Sequence, residues 1–307
     1  YLPAHYELAA THEFLNFELD VNSDAFAENR QAVRDIVDRM EELAPDSVFV
    51  SNWRAYMAMR WESDLIAAAP YLETSMRFAN RTDIHIWFNG AIDLLMMLDR
   101  NAEAMIVAQY WVNRDPYCVN CLRKLVRAAI AAGRREEAAL VLDELSSRSD
   151  DDYDYWSIGV AYLAAGRPEK ALQLFDQIDD ESPDIDREFA RALALHSLGR
   201  TREFETVLRR NLSGYPEDSA EGIARLYAWS GQADEAFFWL EKMVEDQGPE
   251  SAMLVKTELY DPIKSDPRWL AFLEQHGAAD EHTAIVHFDP QYPPTLQRAV
   301  DALSSDR

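Results

Sequence analysis

The sequence is poor in the residues that interrupt regular structure. Its 307 positions include only 10 glycines and 13 prolines, too few for a turn-rich all-β fold or a low-complexity linker. Apolar residues make up 48% of the chain, which suffices for a continuous core. The chain is long for one globular domain, whereas a repeat array escapes that limit because each unit packs only on its neighbours.

Basic residues are also scarce. The chain has 30 Lys and Arg against 55 Asp and Glu, a formal net charge of −25. Such a surface repels phosphate backbones and anionic lipids, so we expect no nucleic-acid partner. The charge serves solubility or attracts basic partners. The sequence has no apolar run of 18 residues, so we expect no membrane insertion by this segment.

Two signs bear on where the protein works. The numbering begins at Tyr1, so we expect any signal peptide or anchor to lie upstream. The acidic composition suits a saline or extracytoplasmic setting. We therefore favour an extracytoplasmic location, periplasmic or membrane-anchored, over the cytoplasm.

Catalytic motifs are missing. The sequence contains no GxxxxGK[ST] phosphate loop and no HExxH motif, and its seven histidines are scattered. No nucleophile has an identifiable base nearby. We therefore predict neither an enzyme nor a bound metal or cofactor.

The chain has two cysteines, Cys118 and Cys121, in a CxxC spacing. One CxxC cannot supply the four ligands of a structural zinc site, and no βαβ pattern surrounds it. Three interpretations remain: two partly buried thiols, a local disulfide in an oxidising compartment, and a redox or metal role.

A phrase built around glycine recurs in the second half of the chain. Its copies read AAGRREEAALVL, AAGRPEKALQLF, SLGRTREFETVL and WSGQADEAFFWL around Gly133, Gly166, Gly199 and Gly231. The glycines are 33, 33 and 32 residues apart. Glycine tolerates the left-handed conformation that ends a helix, and in three copies an alanine five positions later allows two helices to approach closely. The period predicts a helical hairpin per unit.

The stretch from Tyr155 to Phe175, YWSIGVAYLAAGRPEKALQLF, resembles the tetratricopeptide repeat (TPR) in its small-residue, Tyr, Gly, Ala and aromatic landmarks. The resemblance implies an all-α, right-handed α-solenoid. Phe204 replaces the small alanine in the sixth unit, so we expect that hairpin to pack more openly. Weaker copies, in which Asp99 and Ser63 replace the glycine, and a divergent first hairpin bring the count to about seven.

The residues after the repeats are expected to cap them. The segment LYDPIKSDPRWLAFLEQHG includes a short amphipathic helix with Trp269, Leu270 and Leu273, which should cover the open end of the last repeat. We predict a superhelix with its capping helix over residues 1–279. Residues 280–307 break the period and form an extended or irregular tail, in which residues 294–304 are a candidate for one more helix.

The divergent first hairpin, the later repeats and the ending DPxxxDPRWxxFL together resemble a broader bacterial group. Its members are the TPR-type sensor or output regions that accompany winged-helix activator domains or nucleotide-cyclase domains in signalling proteins. Neither of those domains lies within these 307 residues.

In the TPR family, the first helix of each hairpin lines a concave groove, and a fixed set of its positions faces inward. Counting from the hairpin corners, we predict a partner-binding groove formed by Trp53, Met57, Trp61, Asn89, Met96, Arg123, Arg127, Trp156, Phe189, His196, Arg225 and Trp229.

Trp and Arg are enriched at interaction hot spots, and Met suits adaptable apolar contacts. The expected ligand is a peptide with apolar anchors and some negative charge. Two alternatives remain: the aromatic residues pack across the superhelix, or the C-terminal tail fills the groove.

The leading hypothesis is a protein–protein interaction scaffold that holds a peptide or partner protein in this groove. The second is a sensing region of a larger bacterial signalling or transcription-regulatory protein, and the third, more remote, is a solenoid enzyme.

Overall fold

A computed structural model of the chain describes the following residues: 2–16, 23–62, 64–78, 88–148, 151–179, 182, 187–214, 220–248, 251–252, 255, 257–276 and 285–305. Across these ranges the backbone is helical or irregular and forms no strand. None of the helices in them is both long and apolar enough to cross a membrane.

The α-helices in chain order are α1 (Leu2–Asn16), α2 (Asp24–Leu43), α3 (Val48–Arg60), α4 (Leu65–Phe78), α5 (Phe88–Met97), α6 (Asn101–Arg114), α7 (Val119–Ala131), α8 (Arg135–Ser146), α9 (Asp152–Ala164), α10 (Pro168–Phe175), α11 (Arg187–Ser197), α12 (Thr201–Gly214), α13 (Ala220–Trp229), α14 (Ala233–Gln247), α15 (Arg268–Gln275) and α16 (Pro294–Ser305). A 3-10 helix, Glu258–Ile263, lies between α14 and α15 in the chain.

Consecutive helices pack as hairpins, in the order that the 33-residue phase predicts. Contacts join α1 to α2, α3 to α4, α5 to α6, α9 to α10, α11 to α12 and α13 to α14. Among α1–α14, odd-numbered helices are therefore the first helices of hairpins and even-numbered ones the second. The predicted all-α solenoid of helical hairpins is confirmed.

The hairpin corners are set by residues in the left-handed backbone region. Gly133, Gly166, Gly199 and Gly231 have φ between 70° and 73°. After each of them the next backbone N–H donates to the carbonyl five residues earlier, as Arg167 does to Tyr162 at 2.8 Å. This bond satisfies a carbonyl that the helix end would leave unpaired. Ser63, the expected corner of the second hairpin, lies outside the described residues.

Small residues mark the places where the two helices of a hairpin come closest. Ala138, Ala171 and Ala236 on the second helices are completely buried. On the first helix α9, a Cβ built at Gly159 would lie 2.2 Å from Cε1 of Phe175. The sequence phase thus identified the positions at which side-chain size limits helix approach.

The chain divides into two compact units. Unit 1 comprises Tyr1–Lys124 and His282–Arg307, and unit 2 comprises Leu125–Glu281. Unit 1 is therefore discontinuous in sequence, because the C-terminal tail packs with the N-terminal hairpins. In the tail, residues 286–293 have no regular structure and α16 occupies the predicted position of one more helix.

Within unit 1 the tail contacts second helices. α16 packs against α6, and the Tyr292 hydroxyl donates to Glu103 Oε1 at 2.6 Å. The Asp289 backbone N–H donates to Glu73 Oε1 of α4 at 2.7 Å. The Phe288 side chain is 5% exposed, and its ring lies 5.8 Å from the Arg100 guanidinium carbon.

Within unit 2 the capping helix α15 packs beside α14. Phe272 and Phe237 lie edge to face with their ring centroids 6.5 Å apart, and Arg268 pairs with Asp234 at 2.9 Å. Trp269 and Leu273 are buried as predicted, but Leu270 is 58% exposed. Leu270 therefore does not contribute to the cap.

Candidate functional site

The predicted groove residues of α3 are core residues of unit 1. Trp53 is 5% exposed and Met57 is 4% exposed. The Trp53 ring packs against Tyr6 of α1 and Tyr56 of α3, with centroid separations of 5.8 and 5.4 Å. The divergent first hairpin thus covers the face of α3 that a ligand would need to reach.

Trp61, which follows α3, is half-buried in a polar surround. Its Nε1 donates to Glu13 Oε1 at 3.3 Å, and Glu13 also accepts a 2.6 Å bond from the Tyr56 hydroxyl. The guanidinium carbons of Arg30 and Arg34 lie 4.8 and 5.1 Å from its ring centroid. Cation–π contacts and hydrogen bonding therefore hold Trp61 within unit 1.

The remaining groove candidates of unit 1 and α7 differ in their exposure. Met96 is half-buried on α5, and the side chain of Asn89 lies outside the described residues. Arg123 is half-buried and Arg127 is exposed on α7.

In unit 2 the corresponding positions form a partly exposed aromatic surface on the first helices. Trp156 of α9 is half-buried between Phe175 and Phe189, with both ring centroids 5.9 Å away. Phe189 itself is only 8% exposed. One turn earlier on α9, Tyr153 is 67% exposed. Trp156 thus joins a buried aromatic stack to the surface.

Two further groove candidates are Trp229, at the end of α13, and His196, on α11. The Trp229 indole N–H donates to the Leu193 carbonyl at 3.1 Å and to Ser197 Oγ at 3.0 Å. His196 packs on Phe204, with ring centroids 4.9 Å apart. Burial lowers the pKa of His196, which favours the neutral imidazole. We call Tyr153, Trp156 and Trp229 the aromatic strip of unit 2.

The chain's own 3-10 helix lies on the same set of first helices. It contacts α13 and α9, and its residues Leu259, Tyr260 and Ile263 are each no more than 2% exposed. The sequence analysis missed this contact, because it treated the segment only as the approach to the capping helix. The sequence signal for this contact is the short stretch ELYDPI (residues 258–263), which holds three large apolar residues among acidic residues and a proline.

The 3-10 helix also lies close to the groove candidate Arg225. Arg225 pairs with Glu221 one turn away on α13, and both side chains are at least three-quarters buried. Tyr260 lies close to the pair. Burial is the main cause that raises the pKa of Tyr260, while Arg225 acts in the opposite direction. The positive charge predicted to meet a ligand is therefore balanced within unit 2.

A polar cleft lies between the fourth and fifth hairpins, with a volume of about 230 Å³. Asp143 of α8 accepts a 2.5 Å hydrogen bond from the Tyr162 hydroxyl and forms an ion pair with Lys170. Burial opposes ionisation, but these two partners hold the pKa of Asp143 below its ordinary value. The Asp143 carboxylate thus links the three consecutive helices α8, α9 and α10.

The Sγ atoms of Cys118 and Cys121 are bonded to each other at the start of α7. Among the three interpretations of the CxxC spacing, the structure contains the local disulfide. In the described part of the chain, no group of three or more His, Cys, Asp and Glu side chains could hold a metal ion.

Two segments of unit 2 match the PPR repeat, residues 160–182 and 223–247. They cover parts of the fifth and seventh hairpins. No curated protein matches the chain significantly. Helical repeats of this kind bind proteins or RNA, typically without catalysis, and PPR repeats bind RNA at one base per repeat. Our exclusion of nucleic acid therefore rests on charge alone. The chain is a helical-repeat protein built from α-helical hairpins.

Proposed function

We propose that this chain is a protein–protein interaction scaffold and that the aromatic strip of unit 2 contacts the partner. The observation that carries the proposal is the position of Tyr153, Trp156 and Trp229. They lie on first helices and remain partly exposed. Ring contacts hold Trp156 in place, and a hydrogen bond to a backbone carbonyl holds Trp229. Anchored aromatic side chains lose little conformational entropy on binding, which suits them to be hot spots.

The 3-10 helix indicates what kind of segment these first helices accept. It contributes Leu259, Tyr260 and Ile263 to the surfaces of α9 and α13 within unit 2. A short irregular segment with closely spaced apolar residues therefore fits this side of the hairpins. We propose a partner segment of the same chemistry, bound beside the chain's own.

Charge refines the proposal. Arg225 is paired with Glu221, so we no longer assign it to an anionic group of the ligand. Apolar burial is then the main source of affinity, and the net charge of −25 favours neutral or basic partners through long-range attraction.

The experiment begins with identification of a co-purifying protein and then measures its affinity for variants. Tyr153→Ala removes a ring that is 67% exposed, so we expect a loss of binding of about 2 kcal/mol with little change in melting temperature. Trp156→Ala is less suitable, because it also removes contacts with Phe175 and Phe189.

Leu140→Ala is the matched control, because Leu140 is 71% exposed on the second helix α8. Its affinity should equal that of the unchanged chain. If Tyr153→Ala binds the partner as tightly as Leu140→Ala does, the aromatic strip is not the contact surface.

A second candidate function is RNA binding, which the PPR matches favour. It predicts that single-stranded RNA of mixed sequence binds with an affinity that falls as salt rises. We expect no binding at physiological salt because of the net charge. Fluorescence anisotropy with labelled RNA distinguishes the two functions.

A third candidate is a sensing region of a larger bacterial signalling protein, which the ending DPxxxDPRWxxFL favours. Sequencing the complete reading frame tests it. A cyclase, winged-helix or transmembrane segment in the same frame would support this candidate.

A further inference from the structure

The CxxC disulfide lies at the surface, at the first turn of α7. Cys118 is partly exposed, whereas Cys121 is 5% exposed. The residues around the pair are accessible: Tyr117 is 82% exposed, and Val119 and Asn120 are exposed as well. A reacting molecule can therefore approach the pair, and Cys118 is the sulfur that it meets first.

The backbone stabilises the Cys118 sulfur. The Cys121 N–H donates to Cys118 Sγ at 3.1 Å, in the way that a capping side chain accepts from the first turn of a helix. A thiolate at this sulfur would keep the same bond and would lie at the positive end of α7, and both effects favour the charged form. The first cysteine of a CxxC motif at the start of a helix is activated as a thiolate in this way.

A role in stability explains the disulfide poorly. In the chain-entropy view, a cross-link stabilises a fold more when it closes a longer loop. Cys118 and Cys121 are three positions apart, so the loop that the disulfide closes is very short. The hydrogen bond from Leu122 N–H to the Cys118 carbonyl already begins the helix.

We propose that Cys118 and Cys121 form a redox-active pair that undergoes thiol–disulfide exchange with an external dithiol or disulfide, with Cys118 as the sulfur attacked. A thiolate of the external dithiol attacks Cys118 Sγ, the bond between the two cysteines breaks, and Cys121 leaves as a thiolate that takes up a proton. The second external thiolate then attacks the external sulfur of the mixed disulfide and releases Cys118 as a thiolate, which takes up the second proton. Two electrons and two protons pass to the protein, and the external dithiol becomes a disulfide.

The first test equilibrates the full chain in glutathione buffers with increasing ratios of reduced to oxidised glutathione. Alkylation followed by mass spectrometry counts the free thiols. We expect both cysteines to change together from fully oxidised to fully reduced within this series. A pair that stays oxidised in the most reducing buffer, as structural disulfides do, overturns the proposal.

The second test separates the two sulfurs. Cys121→Ser leaves the partly exposed Cys118, and Cys118→Ser leaves the buried Cys121. We expect Cys118 to form a mixed disulfide with oxidised glutathione at least about tenfold faster than Cys121 does. Equal rates in the two variants contradict the assignment of Cys118.

Circular dichroism checks that both variants keep their helical signal. Should either unfold, the unchanged chain is compared with a peptide of residues 116–122 in the same glutathione buffers. The chain should become reduced at a lower proportion of reduced glutathione than the peptide. Reduction at the same proportion or a higher one means that the helix does not activate the pair, and the proposal fails.

Discussion

The hairpin corner of unit 1 at Asp99 and the four corners of unit 2 make the same turn with different residues. Asp99 has φ of 56°, close to the values of the glycines. Arg100 N–H donates to the Leu95 carbonyl at 2.8 Å, the same bond that follows each glycine. Asp99 is also bonded through its side chain to Asn101. The turn therefore prefers glycine without requiring it, and a short polar side chain can meet the left-handed conformation.

The two units also differ in what covers their hairpins. In unit 1 the C-terminal tail contacts second helices through Tyr292 and Asp289. In unit 2 the 3-10 helix contacts first helices. The C-terminal tail is the alternative occupant predicted for the groove, whereas the segment that contacts first helices in unit 2 is the 3-10 helix.

The largest effect should come from the 3-10 helix of unit 2. Tyr260 is completely buried, so Tyr260→Ala should lower the free energy of unfolding by about 3–5 kcal/mol through lost packing and a cavity. Tyr260→Phe is the control, because it keeps the ring. Urea unfolding measures both. Unchanged stability of Tyr260→Ala would show that the segment is not an integral part of unit 2.

The next effect tests helix approach on α9 and α13. Gly159→Ala places a methyl group 2.2 Å from Phe175, so we expect a loss of about 1–3 kcal/mol from overpacking. At Gly222 an added Cβ would lie 3.5 Å from Phe189, an ordinary contact. Gly222→Ala should therefore be tolerated. Equal melting temperatures for the two variants would contradict the close approach at Gly159.

Substitutions at the hairpin corners should change stability less, and the change should be larger at Gly166 than at Asp99. A Cβ at Gly166 would meet nothing within 4 Å, so the left-handed backbone is the main cost of Gly166→Val, which should destabilise by about 1–2 kcal/mol. Asp99→Gly relieves strain but adds flexibility to the unfolded chain, and we expect a change below about 1 kcal/mol. Thermal unfolding compares them. A neutral Gly166→Val would mean that Gly166 does not cap the hairpin.

The smallest effect is a pH dependence at His196. Burial lowers its pKa from the ordinary value of 6.5, so the unfolded chain binds a proton as pH falls through about 6.5 before the folded chain does. This contribution lowers stability on acidification. His196→Gln should reduce the difference in unfolding free energy between neutral pH and about pH 5.5. His287→Gln removes an exposed imidazole as the control, and identical pH profiles for all three chains would refute the prediction.

Sequence reasoning succeeded where the constraint is local. Gly133, Gly166, Gly199 and Gly231 and the alanines that follow have their roles within single hairpins, so a period of 33 residues reveals them. It could not show that Trp53 and Met57 are buried, because their cover comes from α1 rather than from their own hairpin. Nor could it place the 3-10 helix that contains Tyr260, because that helix contacts α9, which lies about a hundred positions earlier in the chain.

The discontinuity of unit 1 has a consequence for folding during synthesis. Helical repeats can form in order as the chain emerges from the ribosome, since each hairpin needs only its neighbours. Arg100 and Phe288, however, are joined across 188 positions, so the surfaces of α4 and α6 that the tail covers stay exposed until residues 288–292 have been synthesised. The second and third hairpins are thus synthesised before those of unit 2 but completed after them, and a premature stop codon shortly before Phe288 would leave the surfaces of α4 and α6 uncovered.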